Sequence, residues 1–293
     1  MTETLAYLLC VPGIPLAGFF VWLVGFARKT GEETRLPFDA MPRPAGWSLQ
    51  LRCSDLLEKV QFHLLLGLFS GVIFAYAASI AKVTPAISLS IGMIASGAFL
   101  FHASRLFLRY RDHRLGLLGE QVVGRLLDRA ASDTIQVFHD LEVSDPGRKT
   151  WNIDHVVVTP AGVFAIETKA RRKPKDSGHA GQAGYKVIFD GSQLLFPSPM
   201  QANRHGLEQA RNNADWLSSK LTAWNGRPIT VTPVLVMPGW WVERTGKGPV
   251  FVLNPKELPS FLSGRPQILS PQEQRSISNQ LTDLDRIDLV RAS

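Results

Sequence analysis

Residues 151–170 read WNIDHVVVTPAGVFAIETKA, two apolar runs joined by a Thr-Pro-Ala-Gly stretch and each interrupted by charge. Asp154 breaks the first run; Glu167 and Lys169 break the end of the second. Thr159-Pro160-Ala161-Gly162 suits a four-residue hairpin loop built on a type I turn, with Pro at its second position and Gly at its fourth. That loop pairs Val158 with Val163 and, followed back along both strands, brings Asp154 opposite Glu167. Strand side chains alternate with period two, so Lys169 shares the face of Glu167. Three charged groups are expected on one edge of a sheet. A three-residue loop with a bulge would set Asp154 beside Thr168 instead, so register decides the reading.

Two carboxylates facing each other repel, and a metal cation or positive partner removes the penalty. Oxygen-only ligands with open positions suit Mg²⁺ or Mn²⁺. Such an ion polarises a phosphodiester and lowers the pKa of a water bound to it. A lysine alongside can orient that water or neutralise charge growing on phosphorus. The simpler alternative is a salt bridge between Lys169 and one carboxylate at a strand end. His155 alternates to the opposite face and is expected to pack there. The seven histidines show no zinc-ligand spacing, and no Gly-x-Gly loop offers a nucleotide site.

The surrounding pattern is an alternation of helices and strands, which implies an α/β core. A helix is expected over 115–131, a strand over 134–143, a turn at 145–149, then strands 151–158 and 162–169. A basic loop covers 170–184, with a short strand at 185–189. Residues 200–222 carry Leu207, Ala210, Ala214, Leu217 and Leu221 on one helical stripe. A strand over 229–236 follows, then a loop holding Trp240 and Trp241, a strand near 249–253, and short helices near 255–262 and 271–284. The two tryptophans read as loop aromatics covering the surface or as a stacking patch.

The first third of the chain differs in kind. Residues 5–26, 62–81 and 83–101 are uncharged runs, each long enough to cross a bilayer core, which needs about 20 apolar residues. The start MTE, the length of the first run and the Arg28-Lys29 that follows it argue against a cleaved signal peptide. The expected organisation is a three-helix transmembrane anchor over 1–104, with a loop at 27–61, and a second domain over 105–293. Arg28, Lys29, Arg35, Arg43, Arg52 and Lys59 in the loop, and Arg105, Arg109, Arg111 and Arg114 after the third run, place both regions on the cytoplasmic side. The N-terminus then lies outside an inner (cytoplasmic) membrane. Gly67 and Gly71 match a small-xxx-small pattern, which serves either a homo-oligomer or packing within the anchor. Cys10 and Cys53 lack metal-ligand spacing.

Asp-x₁₂-Glu-Thr-Lys across a hairpin, with the second strand reading Gly-Val-Phe-Ala-Ile-Glu-Thr-Lys, resembles the PD-(D/E)xK nuclease superfamily. More narrowly the chain resembles the nuclease-related domain family, NERD. Gly119-Glu120-x-x-Val123, the hairpin from Ile153 to Lys169, and Ser198-Pro199-Met200-Gln201 with Asn203 and His205 carry the likeness, over residues 115–235. Ser198 departs from the Asn that the family tends to place before the proline. The resemblance implies a restriction-endonuclease-like α-β-β-β-α-β core. It implies Asp154 and Glu167 as metal ligands, Lys169 as the residue assisting the water, and Glu120 and Gln201 as groups approaching the site.

Nucleic acid, with DNA as the expected form, fits the charge. The chain has 32 Lys+Arg against 25 Asp+Glu, a formal net charge of +7. Arg171, Arg172, Lys173 and Lys175 follow the site, and Arg204, His205 and Arg211 lie behind Gln201. Phosphate-neutralising groups beside a phosphodiester-cutting centre make electrostatic sense. The expectation is a membrane-anchored, Mg²⁺-dependent nuclease. Its alternatives are a catalytically silent nucleic-acid-binding module and a scaffold whose basic loop meets anionic lipid.

Overall fold

Apolar residues at nearly every position of 153–166 predict strands covered on both faces, and the sheet is built that way. The structure, a computed structural model, describes residues 40–80, 84–145, 147, 150–173, 185–197 and 200–288. The expected span 5–26, Arg28, Lys29, Arg35, Lys175 and Ser198-Pro199 lie outside the described residues. In chain order the elements are β1 (Ala40–Pro42), α1 (Trp47–Ile80), α2 (Pro85–Ala130), β2 (Gln136–Val143), β3 (Trp151–Thr159) and β4 (Gly162–Thr168). Then come β5 (Lys186–Phe189), β6 (Leu194–Leu195), α3 (His205–Asn225), β7 (Val231–Val236), β8 (Trp241–Arg244) and β9 (Phe251–Leu253). A short 3₁₀ turn at Pro255–Glu257 leads into α4 (Leu258–Ser263), α5 (Pro271–Asp285) and β10 (Arg286–Asp288).

The described residues fall into two compact units, one of 51–113 and one of 40–50 with 114–288. In the second unit the main sheet runs β2-β3-β4-β7-β9, with β2, β3 and β4 antiparallel and β4, β7 and β9 parallel. The core order is therefore α-β-β-β-α-β, with β5 and β6 inserted before α3. One face, through Val156, Val158, Val163 and Ala165, packs on Ala214, Leu217 and Leu221 of α3 and Ile277 and Leu281 of α5. The other, through Val157, Phe164, Ile166, Val234 and Val236, packs on Val123 and Leu127 of α2 and Leu258 and Leu262 of α4. A separate small sheet, β6-β5-β8, closes over a third cluster that includes Trp240.

The hairpin register is the one the turn chemistry predicts: Thr159 pairs with Gly162 and Val158 with Val163. Gly162, at φ 124°, occupies a backbone region that side-chain-bearing residues rarely adopt. The ladder continues to His155 and Ile166 and stops one pair short of Asp154 and Glu167. On the other side of β3, His139 pairs with His155 and Leu141 with Ile153, but Asp140 and Asp154 between them do not pair. Phe138 and Leu141 feed the same apolar cluster, as do Ile153 and Val156, so the alternation of both strands slips by one residue there. Asp140 is the described non-glycine residue at positive φ, 49°.

That twist sends the Asp140 carboxylate to the first turn of α1. Its Oδ2 accepts from both the backbone N–H and the hydroxyl of Ser48, each at 2.7 Å. Asn152 Nδ2 donates to Asp140 Oδ1 (3.1 Å) and to Ser48 Oγ (2.9 Å), and Arg43 pairs with Glu142 at 2.6 Å. A residue distant in sequence thus supplies the cap that α1 lacks locally.

Two expectations about the first third are corrected. The loop assigned to 27–61 is helical from Trp47 onward, and the run 83–101 and the helix 115–131 are parts of one helix, α2. Residues 102–114 (HASRLFLRYRDHR) contain no Gly or Pro, so nothing stops the helix between them, and the two compact units divide inside it between 113 and 114. Among the described residues, two helices are long and apolar enough to cross a membrane. Within their unit, a side chain on Gly92 would stand 3.2 Å from Gly71 Cα, one on Gly67 would stand 3.1 Å from Leu100 Cγ, and Ser70 Oγ lies 2.6 Å from Ser96 Oγ. Gly67 and Gly92 are used for packing inside the chain, while a side chain on Gly71 would meet nothing within 4 Å, and a homo-oligomer through Gly67 and Gly71 gains no support. Large side chains such as Leu68, Ile94 and Phe101 are exposed along these helices.

Asp140 offers a graded test of the cap. Asp140→Gly removes the cap and should cost about 1 kcal/mol. Asp140→Ala should cost about 2 kcal/mol, because alanine also resists the left-handed backbone. Urea titrations of the two variants beside the parent check the order.

Candidate active site

The end of the β3–β4 hairpin gathers the charged residues that interrupt its apolar runs. Asp154 and Glu167 are 8% and 1% exposed. The Thr168 backbone N–H donates to Asp154 Oδ2 at 2.7 Å, taking the place of the ladder pairing that ends one residue earlier. Lys169 Nζ sits 2.6 Å from Glu167 Oε1 and donates to Gln209 Oε1 at 2.9 Å. Asn213 Nδ2 donates to Glu167 Oε2 at 3.1 Å, and Trp151 Nε1 donates to Asn213 Oδ1 at 3.1 Å. Glu167 is thus held at both oxygens, each by a different donor.

Glu120, buried on α2, acts on the site electrostatically: its charge falls on both Asp154 and Lys169. Two glycines make its approach possible. A side chain on Gly119 would stand 2.7 Å from Ala170 Cβ, and one on Gly46 would stand 2.6 Å from Leu117 Cδ1, three residues before Glu120 on the same helix. A third, Gly206, opens the first turn of α3 to the lysine stem, since a side chain there would lie 3.1 Å from Lys169 Cγ.

Burial raises the Asp154 pKa well above its ordinary value, and the charges of Glu167 and Glu120 add to the rise against Lys169 and the Thr168 N–H. Burial likewise raises Glu167, opposed by Lys169. Burial works against the Lys169 ammonium too, but Glu167, with Asp154 and Glu120, more than offsets it and its pKa rises. Carboxylates that resist ionisation beside an ammonium that resists deprotonation describe a place short of positive charge. Among the described residues no group of three His, Cys, Asp or Glu side chains is placed to hold a metal. Asp154 and Glu167 remain as an oxygen pair, which fits a hard cation that keeps most of its positions for water and substrate. It does not fit a closed zinc site.

Residues 115–238 match the family model described as the nuclease-related domain, NERD, of the PD-(D/E)xK nuclease-like group. This segment is a nuclease-related domain. No curated protein and no solved structure matches the chain.

Within the nuclease-related domain the other expected residues are distributed unevenly. Gln201 is exposed in the loop before α3, and the glutamine that reaches the lysine is Gln209, one turn into the helix. Arg171 stacks over Phe196 at 4.6 Å, its backbone carbonyl accepts from Trp240 Nε1 at 3.2 Å, and Lys173 lies 4.6 Å over Tyr185. Arg172 is exposed, as are Arg204, His205 and Arg211, the last within 3.5 Å of Asp215. Trp240 and Trp241 do not form a loop patch: Trp240 is 3% exposed in the core of the small sheet, while Trp241 opens β8 at 63%. His155 packs on the far face as expected, its Nδ1 2.8 Å from His139 Nδ1, and His139 Nε2 lies 2.9 Å from Asp128. Gln209 and Asn213 were missed in the sequence. The available signal was an amide at 213 among the apolar positions 207, 210, 214, 217 and 221.

The raised Asp154 pKa has a signed consequence. Between its unfolded and folded pKa values the native state binds more protons than the unfolded state, so this group's contribution to stability is full below about pH 4. It is lost as pH rises through the folded value. In divalent-free buffer, Asp154→Asn keeps an acceptor for the Thr168 N–H and removes the charge. The variant should be more stable than the parent at pH 7, with the difference closing toward pH 4. Denaturant midpoints across that range measure it.

Proposed function

We propose that the chain is a membrane-anchored, metal-dependent nuclease that hydrolyses phosphodiester bonds of nucleic acid, with DNA as the expected substrate. One observation carries this reading: two buried carboxylates and a lysine meet at the end of adjacent strands within the nuclease-related domain. Asp154 and Glu167 would hold Mg²⁺ or Mn²⁺. When bound, that ion supplies Lewis acidity toward the phosphate and a water of lowered pKa.

The protein's own groups do the rest. Asp154 is fixed at one oxygen by the Thr168 N–H. Glu167 is oriented at both oxygens. Lys169, held between Glu167 and Gln209, brings a permanent positive charge to the place where negative charge grows on the phosphate oxygens. Glu120 adds negative potential that favours a cation over a second anion. Arg171, Arg172, Lys173 and Lys175 after the site, with Arg204, His205 and Arg211 on or before α3, would meet the backbone phosphates on either side of the cut. The two apolar helices and the basic flanks Arg105, Arg109, Arg111 and Arg114 support an inner-membrane location with the nuclease-related domain in the cytoplasm.

A second reading is favoured by the occupancy of both Glu167 oxygens, one by the Lys169 ammonium and the other by the Asn213 amide. On that reading the domain binds nucleic acid and does not cut it.

Full-length protein in detergent, incubated with single- and double-stranded DNA and RNA under Mg²⁺, Mn²⁺ or EDTA, separates the two. Cleavage is expected only with a divalent cation. Asp154→Asn and Lys169→Met should each lower the rate by about 100-fold or more. Binding without cleavage under every cation sinks the hydrolytic reading and leaves the silent one.

A further inference from the structure

Asn213 is an anomaly on α3. It is buried at 2% exposure among Leu207, Ala210, Ala214 and Leu217, where an amide has no packing advantage over leucine. Burying an amide without partners is costly, so its two hydrogen bonds are what keep it there. Nδ2 donates to Glu167 and Oδ1 accepts from Trp151, a half-buried tryptophan at the start of β3. The indole N–H therefore fixes which end of the amide faces the glutamate. An indole can only donate, so the amide oxygen must face Trp151 and the amide nitrogen must face Glu167. One turn earlier on the same helix, Gln209 accepts from Lys169.

We infer that Asn213 and Gln209 are positioning residues for the site: Asn213, locked by Trp151, sets the plane of the Glu167 carboxylate for a cation, and Gln209 shares the Lys169 ammonium with Glu167 and so fixes where its charge lies. The inference rests on the metal-dependent reading above and extends it to residues on α3. The two amides have separable duties. Groups that orient a metal ligand act on metal affinity, where losing one costs about 10- to 100-fold. A group that aims an ammonium acts on turnover instead.

Asn213 donates only one hydrogen bond to Glu167, and Lys169 already occupies the other oxygen. Losing the amide leaves the carboxylate free to turn about its last bond. Lys169 is then free to follow it and compete with the incoming cation. A purely structural role for Asn213 makes a different forecast, because filling the same volume with leucine would restore packing and leave the carboxylate chemistry alone.

The test uses full-length protein in detergent and Mn²⁺ itself as the probe, followed by electron paramagnetic resonance of the free ion. Asn213→Leu should weaken Mn²⁺ binding about 10-fold in protein that is still folded, and it should also lower the melting temperature, because the Trp151 N–H and a Glu167 oxygen lose their partner. Gln209→Met should leave Mn²⁺ binding within about twofold, lower kcat on nucleic acid, and leave KM unchanged. Should Asn213→Leu fail to fold, Trp151→Phe removes only the N–H that locks the amide and should weaken Mn²⁺ in the same direction. If the parent binds Mn²⁺ and neither Asn213→Leu nor Trp151→Phe weakens it, the positioning role is overturned while the metal reading stands. If the parent shows no saturable Mn²⁺ binding, the metal reading fails and takes the positioning role with it.

Discussion

Two carboxylates are buried at the end of a hairpin with one ammonium near them, and this imbalance governs the second unit of the chain. Taking a carboxylate out of water is expensive, and two together also repel. The site answers with every inexpensive donor within reach: a backbone N–H for Asp154, the Lys169 ammonium and the Asn213 amide for Glu167. The donors still fall short, because the acidic pKa values remain raised. Natural proteins place such unrelieved charge where it does something, commonly at the cost of stability.

The strand geometry around the imbalance follows from it. A regular ladder would hold Asp140, Asp154 and Glu167 in one row across three strands, with like charges directly opposite one another. The structure avoids that row. Asp140 turns out of it through a left-handed backbone and caps α1, and the β3–β4 ladder ends before Asp154 meets Glu167. One carboxylate of the three is thereby assigned to helix capping, and the other two stay at the sheet edge. The slip in alternation at Asp140 and Asp154 is the backbone counterpart of that division of labour.

Much of this was legible before any coordinates. Turn chemistry at 159–162 set the register from Thr159–Gly162 to His155–Ile166, a rule of local sterics, but period two fails at Asp154, where the alternation slips and the carboxylate takes the Thr168 N–H. The stripe on α3 and the order α-β-β-β-α-β were equally readable. What the sequence concealed was non-local. Nothing near Ser48 reveals that its helix is capped by a residue about 90 positions away, and the fusion of an apolar run with the first helix of the domain shows only as a lack of stop signals between 102 and 114. The sequence at 241–244 (WVER) is too short and too polar to signal a strand, although Trp240 enters the small core and Trp241 faces outward. Gln209 was hidden behind Gln201, since which glutamine meets the lysine depends on where α3 starts, and it starts at His205.

Lys169 ties stability and chemistry together. With no cation supplied by solvent, the ammonium is the strongest counter-charge available to Glu167, and the pair at 2.6 Å is what allows the glutamate to be buried at all. A lysine reaches that oxygen on a flexible four-carbon stem, which an arginine fork would not match at a single point, and Gly206 clears the path of the stem along α3. The same flexibility lets the ammonium withdraw toward Gln209 without losing all its partners. On the hydrolytic reading proposed above, a side chain that serves as internal counter-ion in one state would stabilise growing negative charge in another, and one residue would meet both demands. The requirement for two alternative partners, Glu167 and an amide on α3, explains why the helix carries polar groups on a face that otherwise belongs to the core.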